Sequence, residues 1–597
     1  MQLAAADYIV IILYFGVSFG LGLFWSRRAG KSMTEYFLSG RQAPWWLAGT
    51  GMVATTFAAD TPLFVAGQVA QSGVAANWIW WCAAAGGMMT VFFFARLWRR
   101  SGVVTDLEFV ELRYGGPVAA FLRGFKSIYF GLFMNCVIIG WVNLAMLKIL
   151  TVAFPAVDPR LALLVIASAT VLYVSVAGLW GVAIADAFQF TVAMAGCILL
   201  AIFAMSAPGV LERGGLTSAL PESVFSFFPS FSDFANSTAT GDGDPGTPAA
   251  FSLPLTSFLA FILVQWWASW YPGAEPGGGG YVAQRIMSAR DEKSGMLATL
   301  WFVIAHYCVR SWPWILAGLA AVVLYPELAA GEKESGYVYL MRDLLPAPLL
   351  GMLLAAFLGA YMSTLSTQFN WGSSYLVNDL YRRFVAPDKE EKHYVGVARV
   401  STVLIFLVSL GVTAALLAEG GRISKAWEIV LECGAGTGFV LILRWYWWRV
   451  NAMAELVSMI VPTFTVIVMR LLLPMVVTDY VPPSFPGSLF ILVGVTVPAT
   501  LLAVYLTPAE KPELLRAFYD RVRPPGPGWK PFHGGPGEGA GLGRLFIGWI
   551  AGTALVYTLL FGIGSLFLGD LSSALLLFAG AGLAALGVAY VIRAEFA

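Results

Sequence analysis

The sequence predicts an all-α integral membrane protein of about fifteen transmembrane helices, with its N-terminus outside and its C-terminus in the cytoplasm. Of its 597 residues, 58% are hydrophobic and only 12% are charged, and the mean hydropathy is +0.75. A water-soluble core cannot bury so much apolar surface, so most of the chain must face lipid. The other evidence is a series of long apolar runs and the distribution of basic residues between them.

The first apolar run, at 8–25, is a membrane span and not a cleaved signal peptide. No basic residue precedes it, and the basic cluster Arg27, Arg28 and Lys31 follows it. This order places its start outside and its end in the cytoplasm. Further runs long enough to cross a bilayer lie at 45–69, 77–98, 125–150, 161–178, 182–206, 251–283, 296–324, 347–377, 397–418, 427–448, 453–475, 487–507, 545–567 and 573–592.

Lysine and arginine are concentrated in every second loop of this arrangement. The intervening loops at 71–76, 207–250 and 478–487 contain almost none. Because basic loops stay in the cytoplasm, this alternation fixes the predicted orientation along the whole chain. The basic loops after the first one contain Arg99 and Arg100, Arg285 and Arg290, Arg382 and Arg383, Arg444 and Arg449, and Arg521 and Arg523, among others.

Composition also excludes several functions. The net charge of +1 gives no reason to expect a nucleic-acid partner. Five cysteines scattered through apolar segments and three isolated histidines predict neither a disulfide framework nor a histidine metal centre. No catalytic cluster and no nucleotide-binding motif is recognisable, so neither an enzyme nor an ATP-driven pump is predicted.

Three carboxylates fall inside predicted spans, where a charge is costly and indicates function. Asp60 precedes Pro62, so we expect a helix break around 54–62. Glu275 lies in a Gly-Pro-rich stretch that cannot stay helical in lipid. These two interrupted spans are five spans apart and therefore run in opposite directions, which is typical of the central site of a transporter. The third carboxylate, Asp186, could instead be a structural group at a helix end near a loop at 178–181.

Four hydroxyls occur within five positions of the ninth span. Ser363, Ser366 and Thr367 share one helical face, and Thr364 lies about 100° round the helix. Neutral oxygens together with one carboxylate suit a small, hard monovalent cation. The alternatives are that the hydroxyls only bond carbonyls of their own helix, and that Glu275 faces water at an interface. Arg310, in the eighth span, has no assigned role.

Several of these stretches resemble the sodium:solute symporter family, which includes proline, pantothenate, sialic acid and sugar carriers. The similar segments are 35–41 with the Trp45-Trp46 pair, the Glu-Phe…Arg-Tyr-Gly signature at 105–115, the Gly…Asp-x-x-Gln segment at 178–189, the Gln-Arg end at 281–285, and the Ser/Thr-rich stretch at 362–383.

The resemblance implies a LeuT-type fold of two inverted five-helix repeats, with one extra N-terminal span and about four C-terminal spans. It also implies coupling to Na⁺. The segments would be a first span and cytoplasmic loop at 1–44, repeats at 45–206 and 251–450, an extracellular loop at 207–250, accessory helices at 451–507, a Pro-Gly-rich cytoplasmic linker at 508–543 and a helix pair at 544–597.

The same resemblance implies two sodium sites. The main site would take backbone carbonyls of Ala54, Phe57 and Ala360 and the hydroxyls of Ser363 and Thr364. The second would take Asp186, Ser363, Ser366 and Thr367. The expected partners are therefore sodium ions, a small-molecule solute and the lipid of the cell's inner (plasma) membrane.

The residues expected to bind the solute are Asp60, Asn135, Glu275 and Gly278. Sugar carriers of the family place an asparagine at Asn135 but an aromatic residue near Glu275, and here a glycine run that includes Gly278 replaces the sugar contacts. Two carboxylates, Asp60 and Glu275, facing one cavity would favour an ammonium group. The sequence thus predicts sodium-coupled import of an amino acid or related amine. The alternatives are a sugar, polyol or carboxylate symporter and, from another class, a transporter-like membrane sensor.

Overall fold

The computed structural model describes residues 3–29, 38–229, 253–271, 273–534 and 541–596. Over these ranges the chain is almost entirely helical. The bridges of β-type between described residues are isolated ones, Ala43 with Ala289 and Ser269 with Ala435. The predicted all-α class is confirmed.

Twenty helices carry the fold. Those of the first part of the chain are α1 (Ala5–Ala29), α2 (Trp45–Thr55), α3 (Asp60–Ser72), α4 (Val74–Ser101), α5 (Glu108–Arg113), α6 (Gly116–Ala153) and α7 (Pro159–Met205). The next are α8 (Leu255–Ala268), α9 (Gly280–Ser288), α10 (Glu292–Leu324), α11 (Gly336–Leu344), α12 (Leu349–Val385), α13 (Glu391–Ala418), α14 (Ile423–Cys433) and α15 (Thr437–Tyr446). The last are α16 (Ala452–Val476), α17 (Ser488–Leu506), α18 (Pro512–Val522), α19 (Leu542–Phe567) and α20 (Leu571–Phe596).

Ten helices within the described ranges are long and apolar enough to cross a membrane. Other predicted spans consist of two shorter helices, such as α2 with α3, and so fall below that length. The count of about fifteen spans and their orientation stay predictions.

Helix α7 differs from the sequence prediction, which placed two spans at 161–178 and 182–206 with a loop between them. Pro159–Met205 instead form one helix of 47 residues. No proline lies between positions 160 and 205, and membrane helices tolerate glycine, so nothing in the glycines at 178 and 181 forces the helical hydrogen bonding to stop.

The residues that flank α7 contact the region that joins α10 to α11. Lys148, before α7, pairs with Glu334, and Gly209, after it, packs against Leu324 at the end of α10.

The second predicted span is broken, as expected. Helix α2 ends at Thr55 and α3 begins at Asp60. Pro62 lies in the first turn of α3, where its missing N–H costs no helical hydrogen bond. The break leaves residues 56–59 outside either helix, as a short and mostly buried stretch of irregular backbone.

The seventh predicted span is also broken, between α8 and α9, and its break is paired with a second one that the sequence did not predict. The span expected at 427–448 stops at Cys433 and resumes at Thr437. Trp270 N–H donates to the carbonyl of Gly434 (3.1 Å), and Gly436 N–H donates to the carbonyl of Ala268 (2.9 Å). The two breaks thus satisfy each other's backbone groups, which lipid could not do.

The segment predicted to be a linker, 508–543, contains helix α18 and packs on the helical core. The indole of Trp529 is fully buried, and its N–H donates to the carbonyl of Trp445 (2.7 Å). The guanidinium of Arg113 lies 4.9 Å above the same indole ring. This part of the chain is therefore not an extended spacer.

Candidate substrate and sodium sites

A cavity of about 880 Å³ lies where the two broken spans meet. Residues of the α2–α3 break and of the stretch after α8 form two of its walls. Helices α4, α6, α8, α9, α10, α12 and α14 supply the rest. Its position agrees with the sequence prediction of a central site at paired helix breaks.

Asp60 lines this cavity at the first turn of α3. Its side chain is 2% exposed, and its Oδ1 atom has no hydrogen-bond partner among the described residues. A buried carboxylate oxygen without a partner is costly, so a ligand that supplies a proton donor or a cation here is favoured.

Arg310 of α10 lines the same cavity and is also buried. Its guanidinium donates to the carbonyl of Val53 (3.3 Å), the hydroxyl of Thr56 (3.1 Å) and Nδ1 of His306 (2.7 Å). These partners are neutral, and within the described part of the chain Arg310 forms no ion pair, with Asp60 or any other carboxylate. The cavity wall therefore carries one negative and one positive group that do not neutralise each other directly.

Neutral polar atoms complete the cavity. Gln265 Oε1, Ser269 Oγ, Thr364 Oγ1 and Gln368 Oε1 come from residues that line it, and all four are buried without a hydrogen-bond partner in the described ranges. Buried polar atoms are normally satisfied, so this concentration of free donors and acceptors indicates a polar ligand.

Aromatic rings cover one side of the cavity. The ring of Trp427 lies 4.9 Å from that of Tyr271 and stacks on Phe64 at 4.0 Å. Trp141 lies parallel to Tyr271 at 6.3 Å. These flat apolar surfaces limit access of water, which strengthens polar contacts inside.

The main sodium site was expected to combine carbonyls of the α2–α3 break with the α12 residues Ala360, Ser363 and Thr364. The structure brings these elements together, since the ring of Phe57 in the break contacts that of Phe357 on α12 (6.4 Å). The carbonyl of Ala54 accepts from the Phe57 N–H (3.0 Å). Thr364 faces the central cavity with its hydroxyl free, as a ligand to a cation would.

The residues expected at a second sodium site lie on the neighbouring face of α12. Ser363 Oγ donates to Asp186 Oδ1 at 2.5 Å, and Arg285 approaches Asp186 at 3.5 Å. Thr367 Oγ1 has no partner among the described residues, whereas Ser366 Oγ donates to the Met362 carbonyl at 2.6 Å. Asp186 is buried inside α7, so it is not a group at a helix end.

Glu275 and Gly278 lie elsewhere. They line a separate cavity of about 300 Å³, together with Asp106, Lys126 and Tyr375. Glu275 Oε2 accepts from the N–H of Gly273 (3.0 Å), and Glu275 is absent from the lining of the central cavity. The expectation that Asp60 and Glu275 face one cavity is therefore not met, nor does Glu275, which is 4% exposed, face water.

Asn135 is likewise absent from the lining of the central cavity. Its side-chain amide donates to the carbonyls of Gly131 (3.2 Å) and Gln368 (2.9 Å). It therefore ties α6 to α12. Of the four residues expected to bind the solute, the structure places only Asp60 at the central cavity.

Arg310 is the residue that sequence reasoning left without a role. The signal was present, because a charge within an apolar run marks function by default. What the sequence lacked was the direction of the side chain, which decides between a lipid-facing position and a cavity.

A buried cavity that contains charged and neutral polar side chains at two interrupted membrane helices is the architecture of a secondary transporter. The sequence profile of the sodium:solute symporter family matches residues 36–462. The chain belongs to this family, and it is a transporter and not an enzyme.

Characterised relatives are sodium-coupled sugar and polyol carriers. The chain is 26% identical over 487 residues to the sodium/mannose cotransporter SLC5A10 of Bos taurus, an alignment that covers 75% of this chain and 76% of that one. It is 23% identical to the sodium/glucose cotransporter of Vibrio parahaemolyticus, with 77% and 84% covered. The sodium/myo-inositol cotransporter 2 of Oryctolagus cuniculus is 24% identical, with 75% and 67% covered.

Among solved structures, the chain is similar to a Na⁺-coupled sialic acid symporter in its substrate-bound, outward-open state. The TM-score is 0.65 at 19% sequence identity, and the match covers 85% of this chain and all of the other. This likeness confirms the predicted fold.

Proposed function

We propose that the protein is a sodium-coupled symporter that imports a small zwitterionic solute of the amino-acid type by alternating access. The observation that carries the proposal is the presence of Asp60 and Arg310 in one buried cavity without an ion pair between them. A zwitterion satisfies both groups at once, since its ammonium group suits Asp60 and its carboxylate suits the guanidinium. Charged side chains taken out of water need such partners.

The remaining walls fit a solute of that kind. Gln265 and Gln368 offer free amide oxygens, and Trp427 and Tyr271 offer apolar faces for a short side chain.

Sodium would bind next to the solute. The carbonyls of Ala54, Phe57 and Ala360 and the hydroxyls of Ser363 and Thr364 are the proposed ligands of the main site. The free Thr364 hydroxyl on the cavity wall supports this assignment. A cation there lies on the same side of the cavity as Asp60, so sodium and solute each improve the electrostatics that the other meets.

A sugar or polyol is the second candidate, because the relatives named above carry mannose, glucose and myo-inositol. The free oxygens of Gln265, Ser269 and Gln368 would accept hydrogen bonds from hydroxyl groups. Such a solute, however, leaves Arg310 and Asp60 without charged partners.

Uptake into proteoliposomes tests the proposal. Labelled zwitterionic amino acids, mannose, glucose, myo-inositol and sialic acid are supplied with an inward sodium gradient and, in parallel, with potassium in place of sodium. We expect accumulation of a zwitterion only with sodium, and competition by other zwitterions but not by sugars. Sodium-driven accumulation of a neutral sugar alone would overturn the zwitterion assignment, and equal uptake in potassium would overturn sodium coupling.

Asp186→Asn tests the second sodium site. The substitution removes the charge beside Ser363 and Thr367 while the ligands of the main site remain, so we expect fewer sodium ions moved per solute and partial uptake. The ratio of charge to solute in proteoliposomes measures this. Asp343→Asn, which removes a surface carboxylate, is the matched control. An unaltered ratio at full activity would leave Asp186 with only its ion pair to Arg285.

Glu275→Gln tests the separation of the two cavities. Because Glu275 lies outside the central cavity, we expect the apparent affinity for the solute to stay within about threefold of the wild-type value. Concentration dependence of sodium-driven uptake provides the measurement. A loss of tenfold or more would return Glu275 to the solute site and contradict the placement given above.

A further inference from the structure

A second large cavity, of about 890 Å³, lies between α4, the end of α18 and the last helix pair. None of its lining residues lines the central cavity. Its lining is divided into a basic part and an apolar part. The residues are Phe92, Phe93, Arg96, Leu97, Arg100, Tyr519, Arg523, Pro524, Pro525, Gly541, Arg544, Leu545 and Glu595.

The basic part has an excess of positive charge. Arg96 and Arg100 share Glu292, at 3.2 and 2.8 Å, and Arg96 also pairs with Glu595. Arg544 is 3.9 Å from the same Glu595. With Arg523, four arginines face two carboxylates, so in the described part of the chain this cavity carries two uncompensated positive charges.

Arg523 contributes most directly to that excess. Its side chain is exposed and forms no ion pair with a described residue. It stands at the C-terminal end of α18 with a φ of 49°, a left-handed conformation for which glycine is the usual residue.

The apolar part is formed by buried side chains and lies next to lipid-facing surface of α19. Phe92, Phe93, Leu97 and Leu545 form one side of the cavity. Phe93 contacts Phe546 of α19 at 5.0 Å, and Phe546 is followed by the exposed side chains of Ile547 and Ile550. Exposed apolar residues along a membrane helix are surface for lipid chains. The cavity thus joins a basic pocket to lipid-facing surface.

We propose that this cavity binds the headgroup of an anionic phospholipid, with its phosphodiester against Arg523 and Arg544 and its acyl chains along α19. Basic pockets between membrane helices on the positive-inside face suit anionic headgroups. A free phosphate would use the arginines but leave the exposed ring of Phe546, which contacts Phe93, uncovered. The adjoining apolar surface therefore favours a lipid.

Such a lipid would stabilise the packing of the last helix pair, α19 and α20, against α4 and α18. At present these parts are joined here by Arg96 of α4, which pairs with Glu595 and lies 5.2 Å from the ring of Phe596, both of α20. A headgroup between Arg523 and Arg544 would add a contact from α18 to α19.

Native mass spectrometry of the purified full-length protein tests the proposal, with phosphatidylglycerol and phosphatidylcholine of identical acyl chains as probes. We expect at least one phosphatidylglycerol to bind more tightly than phosphatidylcholine. At roughly a factor of five for each arginine, Arg523→Gln with Arg544→Gln should weaken that binding by about thirtyfold. The charge-preserving pair Arg523→Lys with Arg544→Lys should keep most of it.

The matched control is Arg160→Gln with Arg213→Gln, which removes the same charge from exposed positions away from the cavity. Equal binding of the two lipids to the wild type would overturn the proposal, and so would a phosphatidylglycerol preference that survives in the glutamine variant while its melting temperature stays normal. Displacement of the lipid by millimolar glycerol 3-phosphate would instead identify a site for free phosphate esters and also overturn the lipid assignment.

Discussion

Replacing Ser363 and Thr364 together by alanine should abolish sodium-driven uptake and leave a folded protein. Both hydroxyls are proposed ligands of the main sodium site, and Thr364 Oγ1 is free of any hydrogen bond among the described residues. If each oxygen ligand contributes as much as a charge-assisted hydrogen bond, the loss of two should lower the sodium affinity by roughly a hundredfold or more. Radioactive sodium binding and solute uptake should fall in parallel.

The control is Ser373→Ala with Ser374→Ala on the same helix. These two hydroxyls donate to the carbonyls of Asn370 (3.1 Å) and Trp371 (2.7 Å), so their loss removes local hydrogen bonds without touching the site. We expect near-normal uptake. Unchanged sodium dependence in the Ser363/Thr364 variant would exclude the main site as assigned.

Thr364→Ala alone separates the two sodium sites. Ser363 donates to Asp186, whereas Thr364 faces the central cavity one step round the helix. The single substitution should therefore weaken sodium binding at the main site and leave the ratio of sodium to solute intact wherever uptake is still measurable.

The interrupted spans could be predicted from sequence because their causes are local. Pro62 and the glycine run after Glu275 disfavour helix wherever the chain puts them. The two faces of α12 could be predicted as well, because the spacing of hydroxyls fixes their angles around a helix. These inferences depend on neighbouring residues only.

The break between α14 and α15 could not be predicted in that way. Gly434 and Gly436 alone would be tolerated in a membrane helix, as the glycines of α7 are. What unwinds this span is its pairing with the open backbone of residues 268–270, a contact between segments more than 160 positions apart. Tertiary hydrogen bonds of that kind leave no local signal.

The direction in which side chains point was the other feature that the sequence could not predict. Glu275 and Arg310 both lie near broken or π-helical backbone, where the regular angle of 100° per residue no longer tells which way a side chain points. The sequence therefore assigned Glu275 to the solute cavity and left Arg310 out, and the structure reverses both placements.

Arg310→Gln should weaken binding of a zwitterionic solute by about ten- to a hundredfold, the equivalent of one charge-assisted hydrogen-bonded contact. The same variant should leave an analogue that lacks the carboxylate, such as the amino-acid amide, within about threefold, because such an analogue has nothing for the guanidinium to pair with. Asp60→Asn should instead weaken both compounds, because both carry the ammonium group that Asp60 is proposed to bind. The concentration dependence of uptake at saturating sodium gives the apparent affinity of each of the two variants for the zwitterion and for the amide.

For Arg310→Gln, the difference between the two compounds is more informative than the loss itself, because misfolding or a damaged sodium site would weaken both compounds alike. Arg342→Gln is the control, since it removes an arginine whose partner is a surface carboxylate, Asp343. Arg310→Lys should recover part of the affinity for the zwitterion, because charge is retained although the planar geometry is not. If Arg310→Gln weakens the amide and the zwitterion equally, the guanidinium only supports the wall through Val53 and Thr56, and Asp60 alone defines the charge preference of the cavity.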